Sequence, residues 1–350
     1  MLNDTYTGNP HATAVHKAMR RCIYNTTTDE VVYYLDEFAS TKKEDGSPPD
    51  LTGATWQVMV EIPQFWTRTV FHGANKIERS VSPVPLAGFE LEPSFDDGDV
   101  LKHYIGAYQC SVYSALSAAV IDGLNLDSNT TRVVQADDKL YSNSGNFVMG
   151  GLGRQEFRKM AQNNKAQLYD YRQWQMLQLL FLTEYGTHNS QVALGNGNVS
   201  GAYVASSEEQ EDSPHTINGV SNALGNQSGK GSNWVSYRGI EHPWGNAQQY
   251  VDGCVASARQ MYVRNDESAY SDAVSGHEAL GEPMPESGWI KTWQLVKGAM
   301  LPAVTGDGAT STSFVGDQLY TNTGLYGVLV GGNAVYASCG QSRGNSFYQA

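Results

Sequence analysis

Basic residues are scarce in this sequence. Its 350 residues include 23 Lys+Arg against 36 Asp+Glu, a formal net charge of −13. That balance works against nonspecific binding to nucleic acid or to an anionic membrane surface, so neither is expected as a partner. Cysteine is sparse too. Cys22, Cys110, Cys254 and Cys339 stand far apart with no C-x-x-C or other metal-ligand spacing, so neither a disulfide framework nor a metal site follows from them. No run approaches the roughly 18 apolar residues of a membrane span. The opening MLNDTYTGNPHATAVHK lacks the basic start and apolar centre of a secretory signal. A chain made and folded in a cytoplasm, with no membrane insertion, is the expectation. There is no long internal repeat and no heptad pattern. H-E-x-x-H and G-x-S-x-G do not occur, and GNQSGKGS around Lys230 lacks phosphate-loop spacing.

The chain does have apolar weight and turn formers. It is 40% hydrophobic and can bury a core as one large domain or two ordinary ones. Thirty-six glycines and 20 tyrosines, with many Asn and Ser, suit loop-rich surfaces that bind through rigid rings and adaptable polar groups. Residues 1–49 read as a separate N-terminal arm for attachment or oligomer contact, or equally as an edge hairpin. Within it His11 to Tyr24 suits a short helix, Glu30 to Phe38 a strand, and KKEDGSPPD at Lys42 to Asp50 a polar boundary. Residues 50–350 form the main domain, with loop insertions at about 114–153 and 195–232.

Within that domain Thr55 to Val70 alternates as two strands broken at Pro63, followed by a hairpin through His72-Gly73, and His103 to Tyr113 reads as a strand. A first helix is predicted from Arg154 to about Asn163. A second is capped by Asp170, carries Trp174, Leu177, Phe181 and Tyr185 at spacings of three and four, and stops at Gly186. Gly253 to Arg264 reads as a further strand. The class is α+β, loop-rich, with short strands and two helices.

The densest chemistry is WVSYRGIEHPWGNAQQYVDG, Trp234 to Gly253. Gly239, Gly245 and Gly253 permit backbone angles that a side chain forbids, and Pro243 fixes a bend, so this reads as a shaped turn that staples the domain. Arg238 and Glu241 are close enough to pair. Trp234, Tyr237 and Trp244 are expected to bury, and Trp234, Arg238, Glu241, Trp244, Gly245 and Asn246 are assigned to scaffold. Asp96, Asp97 and Asp99 permit calcium, but a plain turn is preferred because the twelve-residue loop with its terminal Glu is absent. No cofactor is therefore assigned. His188 and His242 lie beside glycine-rich turns and read as hydrogen-bonded structural residues, so no catalytic residue is assigned.

The run from Tyr237 to Gly253 resembles the "YRGIEN-x-x-GN-x-x-x-x-VDG" run of bacteriophage tail and receptor-binding proteins that use the C-type-lectin fold of formylglycine-generating (sulfatase-modifying factor) enzymes. VMVEIP at Val58 to Pro63, LYDYRQWQMLQLLFLTEYG at Leu168 to Gly186 and LVGGNAVYASCG at Leu329 to Gly340 follow the same family order. The resemblance spans about 290 residues from near Leu51 and extends to phage proteins diversified by a retroelement near their C-termini. It implies a C-type-lectin-like fold and a virion protein of tail-fibre type, exposed on the particle and often a homotrimer. Such a protein binds a host-surface protein or saccharide non-covalently.

The segment matching the family's contact surface, Gly331 to Tyr348, carries Asn333, Tyr336, Ser338, Gln341, Ser342, Arg343, Asn345, Phe347 and Tyr348 as candidate receptor contacts. It departs from the family at Ala334, where tryptophan is usual. Contact with other virion proteins is expected through residues 1–49. A structural subunit of tail, collar or capsid is the alternative. The oxidase activity of the fold's enzymes is a weaker one, because it uses copper held by two nearby C-terminal cysteines and only Cys339 stands there.

Overall fold

A computed structural model describes residues 12–331 apart from 54–55, 73–76, 96–99, 122–134, 150–151, 199–217, 307, 311–312 and 314. The fold is α+β, with short strands in small antiparallel sheets packed around one long helix. Among the described residues there are four α-helices; two, Ala14–Lys17 and Ser190–Ala193, are single turns. The other two are those read from the sequence. Arg154–Asn163 has the expected bounds.

The long helix, Tyr171–Tyr185, begins where the Asp170 side chain accepts from Gln173 N–H and ends where Gly186 takes φ 68°. An N-cap carboxylate satisfies one of the orphan N–H groups of the first turn, and a left-handed glycine lets the chain leave without steric cost. Trp174, Leu177, Phe181 and Tyr185 are buried as their spacing requires, but so are Met176, Leu179, Arg172, Gln178 and Glu184. The helix is enclosed on more than one face, so it runs through the molecule's centre and is not a surface helix with one apolar stripe.

One four-stranded sheet has the order Glu30–Tyr34, Arg20–Asn25, Gln57–Pro63, Lys102–Gly106. The described part of 1–49, residues 12–49, therefore does not stand apart as an arm. Arg20–Asn25 is an inner strand, paired from Arg20↔Glu61 to Tyr24↔Gln57. Met19 and Ile23 are buried in the same cluster as Val58, Val60, Phe181, Trp244 and Val330. The expected helix at 11–24 shortens to one turn because Arg20–Asn25 is a strand buried on both faces, Ile23 toward that core and Cys22 and Tyr24 on the other side. The edge is Glu30–Tyr34, as the hairpin alternative has it.

The expected single strand at 103–113 is two, Lys102–Gly106 and Ser111–Ser114, in different sheets. The second pairs with Ala119–Ile121 and Lys139–Tyr141, so the described part of the 114–153 insertion contributes a small sheet with its own apolar cluster around Met149 and Met160. Trp66–Phe71 and Ile77–Ser82 form the expected hairpin, its connecting turn lying outside the described residues.

A second four-stranded sheet, Glu278–Leu280, Gln260–Val263, Gln249–Ser257, Leu325–Val330, meets the helix through Gln249–Ser257. The reading of 253–264 as one strand gives way to a hairpin turning at Ala258-Arg259. Between Val251 and Val255 the register slips, with Gly253 at φ 68°. This bulge turns Asp252 into a two-point bond with Arg158, at 2.7 and 2.8 Å.

Gly186→Ala forces a Cβ into the left-handed region and is expected to cost about 1 kcal/mol, read as a lower denaturation midpoint with unchanged slope in urea.

Candidate functional site

The stretch from Val235 to Gly253 is organised as two turns. Val235–Tyr237 and Ile240–Glu241 form a hairpin closed by Arg238 and Gly239, both at positive φ (48° and 86°). This two-residue geometry matches strand twist and favours glycine at its second position. The turn separates the two charges that the sequence suggested would pair. Arg238 reaches the buried Glu184 on the long helix, with Nε 3.0 Å from Oε2. Glu241 faces a different segment, accepting from Gly219 N–H at 2.9 Å and Ser221 N–H at 2.9 Å. Each charge is held, but by a different part of the chain.

Trp244 is fully buried, its Nε1 donating to Gly195 O at 2.8 Å and its ring edge-on to Phe181 at 5.6 Å. Gly245, at φ 75°, approaches the loop at Gly197 and Asn198 so closely that a Cβ would lie 2.8 Å from Asn198 N. Asn246 holds φ 65°, and its Nδ2 donates to Gln109 Oε1 at 2.8 Å. Of the six scaffold residues, Glu241, Trp244, Gly245 and Asn246 are buried, while Trp234 and Arg238 are half-buried.

His242 is also fully buried, at φ 48°, with Nε2 3.9 Å from Glu241 Oε1. Neither of its ring nitrogens has a hydrogen-bond partner, unlike the hydrogen-bonded structural role expected for it. Burial lowers its pKa, partly offset by the Glu241 charge. Burial with the Arg79 charge depresses His188 further, to about 4. Both imidazoles are neutral at ordinary pH.

Beside this turn lies a cleft of about 620 Å³. It opens between the main core and the small cluster around Met149, so its floor is apolar and its walls are mixed. Tyr24 and Tyr104 stack on one wall at 4.2 Å. Glu61 anchors that wall, accepting from Tyr104 at 3.1 Å and Lys102 at 2.9 Å. His103 accepts from Gln173 Nε2 at 3.4 Å if its other nitrogen donates to Ser94 O at 3.0 Å, which fixes a neutral tautomer. Gln249 on the opposite wall donates to His242 O at 2.9 Å, tying cleft and turn together. Ring faces, amides and a paired ammonium are groups that can hold a ligand in such a cleft.

Cys110 lines the same cleft, and burial pushes its thiol up to about 12, as it does those of Cys22 and Cys254. None of these three is a thiolate at neutral pH. Cys339 and all nine candidate contacts, Asn333, Tyr336, Ser338, Gln341, Ser342, Arg343, Asn345, Phe347 and Tyr348, lie outside the described residues, as do Asp96, Asp97 and Asp99. The last described residue, Gly331, accepts from Gly245 N–H at 2.7 Å. Sequence reasoning missed the cleft because its walls come from strands more than a hundred residues apart. No local pattern marks such a site.

No protein-family model matches the chain, and no curated protein matches it.

Trp244→Ala is expected to destabilise the fold by about 3 to 5 kcal/mol, measured by chemical denaturation. For His242 the folded pKa lies below the ordinary imidazole value, so its contribution is present above that value and is lost as the pH falls through it. His242→Asn, which tolerates the positive φ, should lose less stability than wild type between pH 7.5 and 5. An equal loss in the two proteins contradicts the assignment.

Proposed function

We propose that this chain is a phage virion protein of tail-fibre or receptor-binding type. In this reading it has a C-type-lectin-like fold of the formylglycine-generating kind and attaches non-covalently to a host-surface protein or saccharide. The carrying observation is the junction at Gly331. Val330 is in register with Gln249, a residue of the cleft wall, and Gly331 is held by Gly245 N–H against the backbone of Pro243 and Trp244. The chain therefore arrives at the candidate contact segment from a fixed point close to an aromatic and amide-lined cleft. The order of the family-like motifs supports the same reading. Several copies, as in a trimer, would add avidity to weak single contacts.

A second reading, a structural virion subunit, is favoured by a different observation. Among the described residues the edge strand Glu30–Tyr34 has a sheet neighbour on one side only and is met on the other at its end, where Tyr34 O accepts from Glu44 N–H, with Val32 exposed on it and Phe38 64% exposed just beyond. Exposed apolar groups along an open edge are what an assembly contact uses. Contact with other virion proteins through residues 1–49 is assigned to this edge.

Purified protein should bind host cells saturably, and Tyr348→Ala should weaken that binding without changing the thermal melt. If Tyr348→Ala instead lowers the melting temperature and leaves binding intact, the C-terminal residues are scaffold and the structural reading replaces adhesion.

A further inference from the structure

Among the described residues three two-residue hairpin turns have both central residues at positive φ: Arg238-Gly239, Lys297-Gly298 and Ala258-Arg259. The first two follow the steric rule by putting glycine second. The third, with φ 48° at Ala258 and 66° at Arg259, has no glycine at all. Side chains are disfavoured at these angles, and strain kept where glycine would relieve it is a pointer to function. This turn projects Arg259 into a separate cavity of about 240 Å³.

The cavity lies between the tip of the 249–263 hairpin and the start of Leu325–Val330. Tyr320 and Tyr326 line it and are 61% and 45% exposed. The Tyr326 ring lies back over Gly324, where a Cβ would meet its hydroxyl oxygen at 2.8 Å. Asn322 accepts Thr323 N–H on its amide oxygen at 2.6 Å, which leaves its NH₂ to donate elsewhere. Arg259 lies 3.4 Å from Glu286, which is 88% exposed, so that pair is screened by water and weakly held.

We propose that this cavity binds a neutral pyranose unit of a saccharide. A pyranose has a face of C–H groups and an edge of hydroxyls. Exposed tyrosine rings match the face, while the Asn322 amide and the Arg259 guanidinium donate to the edge. The volume suits one or two sugar rings and is small for a protein loop. Glu286 beside Arg259 and the net charge of −13 disfavour an acidic sugar. The residues named for the site all precede 332, and the site stands whether or not the chain attaches to cells.

The test is ligand-observed NMR and calorimetry on the purified full chain with methyl glucoside, methyl galactoside, methyl mannoside, N-acetylglucosamine and, as the acidic arm, glucuronate. At least one neutral sugar should bind, on the order of millimolar, with little dependence on salt. Tyr326→Ala should weaken it about tenfold or more. Arg259→Gly should weaken it similarly while leaving the melting temperature unchanged or raised, since glycine fits the turn. Four results overturn the proposal. They are no neutral sugar bound, binding unaffected by both variants, glucuronate alone bound in a salt-dependent way, or a lower melting temperature for Arg259→Gly, which would make the arginine a structural part of the turn. Failure of cell attachment with sugar binding intact overturns the adhesion reading and leaves this one standing.

Discussion

The structure depends first on one buried guanidinium. Arg21 is fully inaccessible, yet nearly every donor it has meets a neutral oxygen: Gly239 O at 2.6 Å, Ser221 Oγ at 2.6 Å, Ser40 Oγ at 3.0 Å and Asn222 Oδ1 at 3.1 Å. Its charge is balanced at one remove. Ser221 accepts from Arg21 through its hydroxyl and donates its N–H to Glu241 at 2.9 Å, so a buried cation and anion are joined across a single residue. An isolated buried charge costs several kcal/mol, and a buried pair is tolerable only when every remaining donor and acceptor is met. The four segments that meet these groups are consequently fixed relative to one another, and the N-terminal strand becomes inseparable from the turn at 238–239.

The same constraint explains the abundance of Asn and Gln. A loop brought indoors carries backbone groups that have left water without finding a sheet, and each needs a partner. Gln109 supplies partners as a strand would: its NH₂ faces His242 O, Gly245 O and Ala247 O, the nearest at 3.0 Å, and its oxygen takes Asn246. Asn246 in turn bonds Asn198 at 3.1 Å, and Asn218 donates to Gln109 O at 2.6 Å. Side-chain amides thus replace a missing ladder around Trp244, which is how a turn with so little regular structure excludes water from a full indole.

What could be read from the sequence follows how local each cause is. The long helix was legible to its ends because an N-cap carboxylate, a three-four apolar spacing and a left-handed glycine all act within a few residues. The glycine-rich shape of 234–253 was legible for the same reason. Partnerships were not. Arg238 and Glu241 are three apart and of opposite sign, but a two-residue turn directs them to different segments, toward Glu184 and toward Gly219 and Ser221, and neither partner is near in sequence. The buried arginine depends on the strand that replaces the expected helix at 11–24: Arg20 and Arg21 are adjacent in it, and the alternation of strand side chains sends one of any adjacent pair inward.

Tyrosine shows why composition alone does not locate a binding surface. Tyr237 and Tyr108 are buried with the core, while Tyr320 and Tyr326 stand in water. What distinguishes Tyr326 is the backbone beneath it. Its strand is paired with Gln249–Ser257, which is paired in turn with Gln260–Val263, and the bulge at Gly253 locks that register through Asp252 and Arg158. A ring on such a strand has already lost the backbone freedom that a ring on a loop must give up when it binds. Its exposure is not compensated by any gain in folding, whereas its rigidity lowers the entropic cost of contact. Exposure together with a braced backbone, more than the presence of tyrosine, is why the proposed saccharide site is placed on this face.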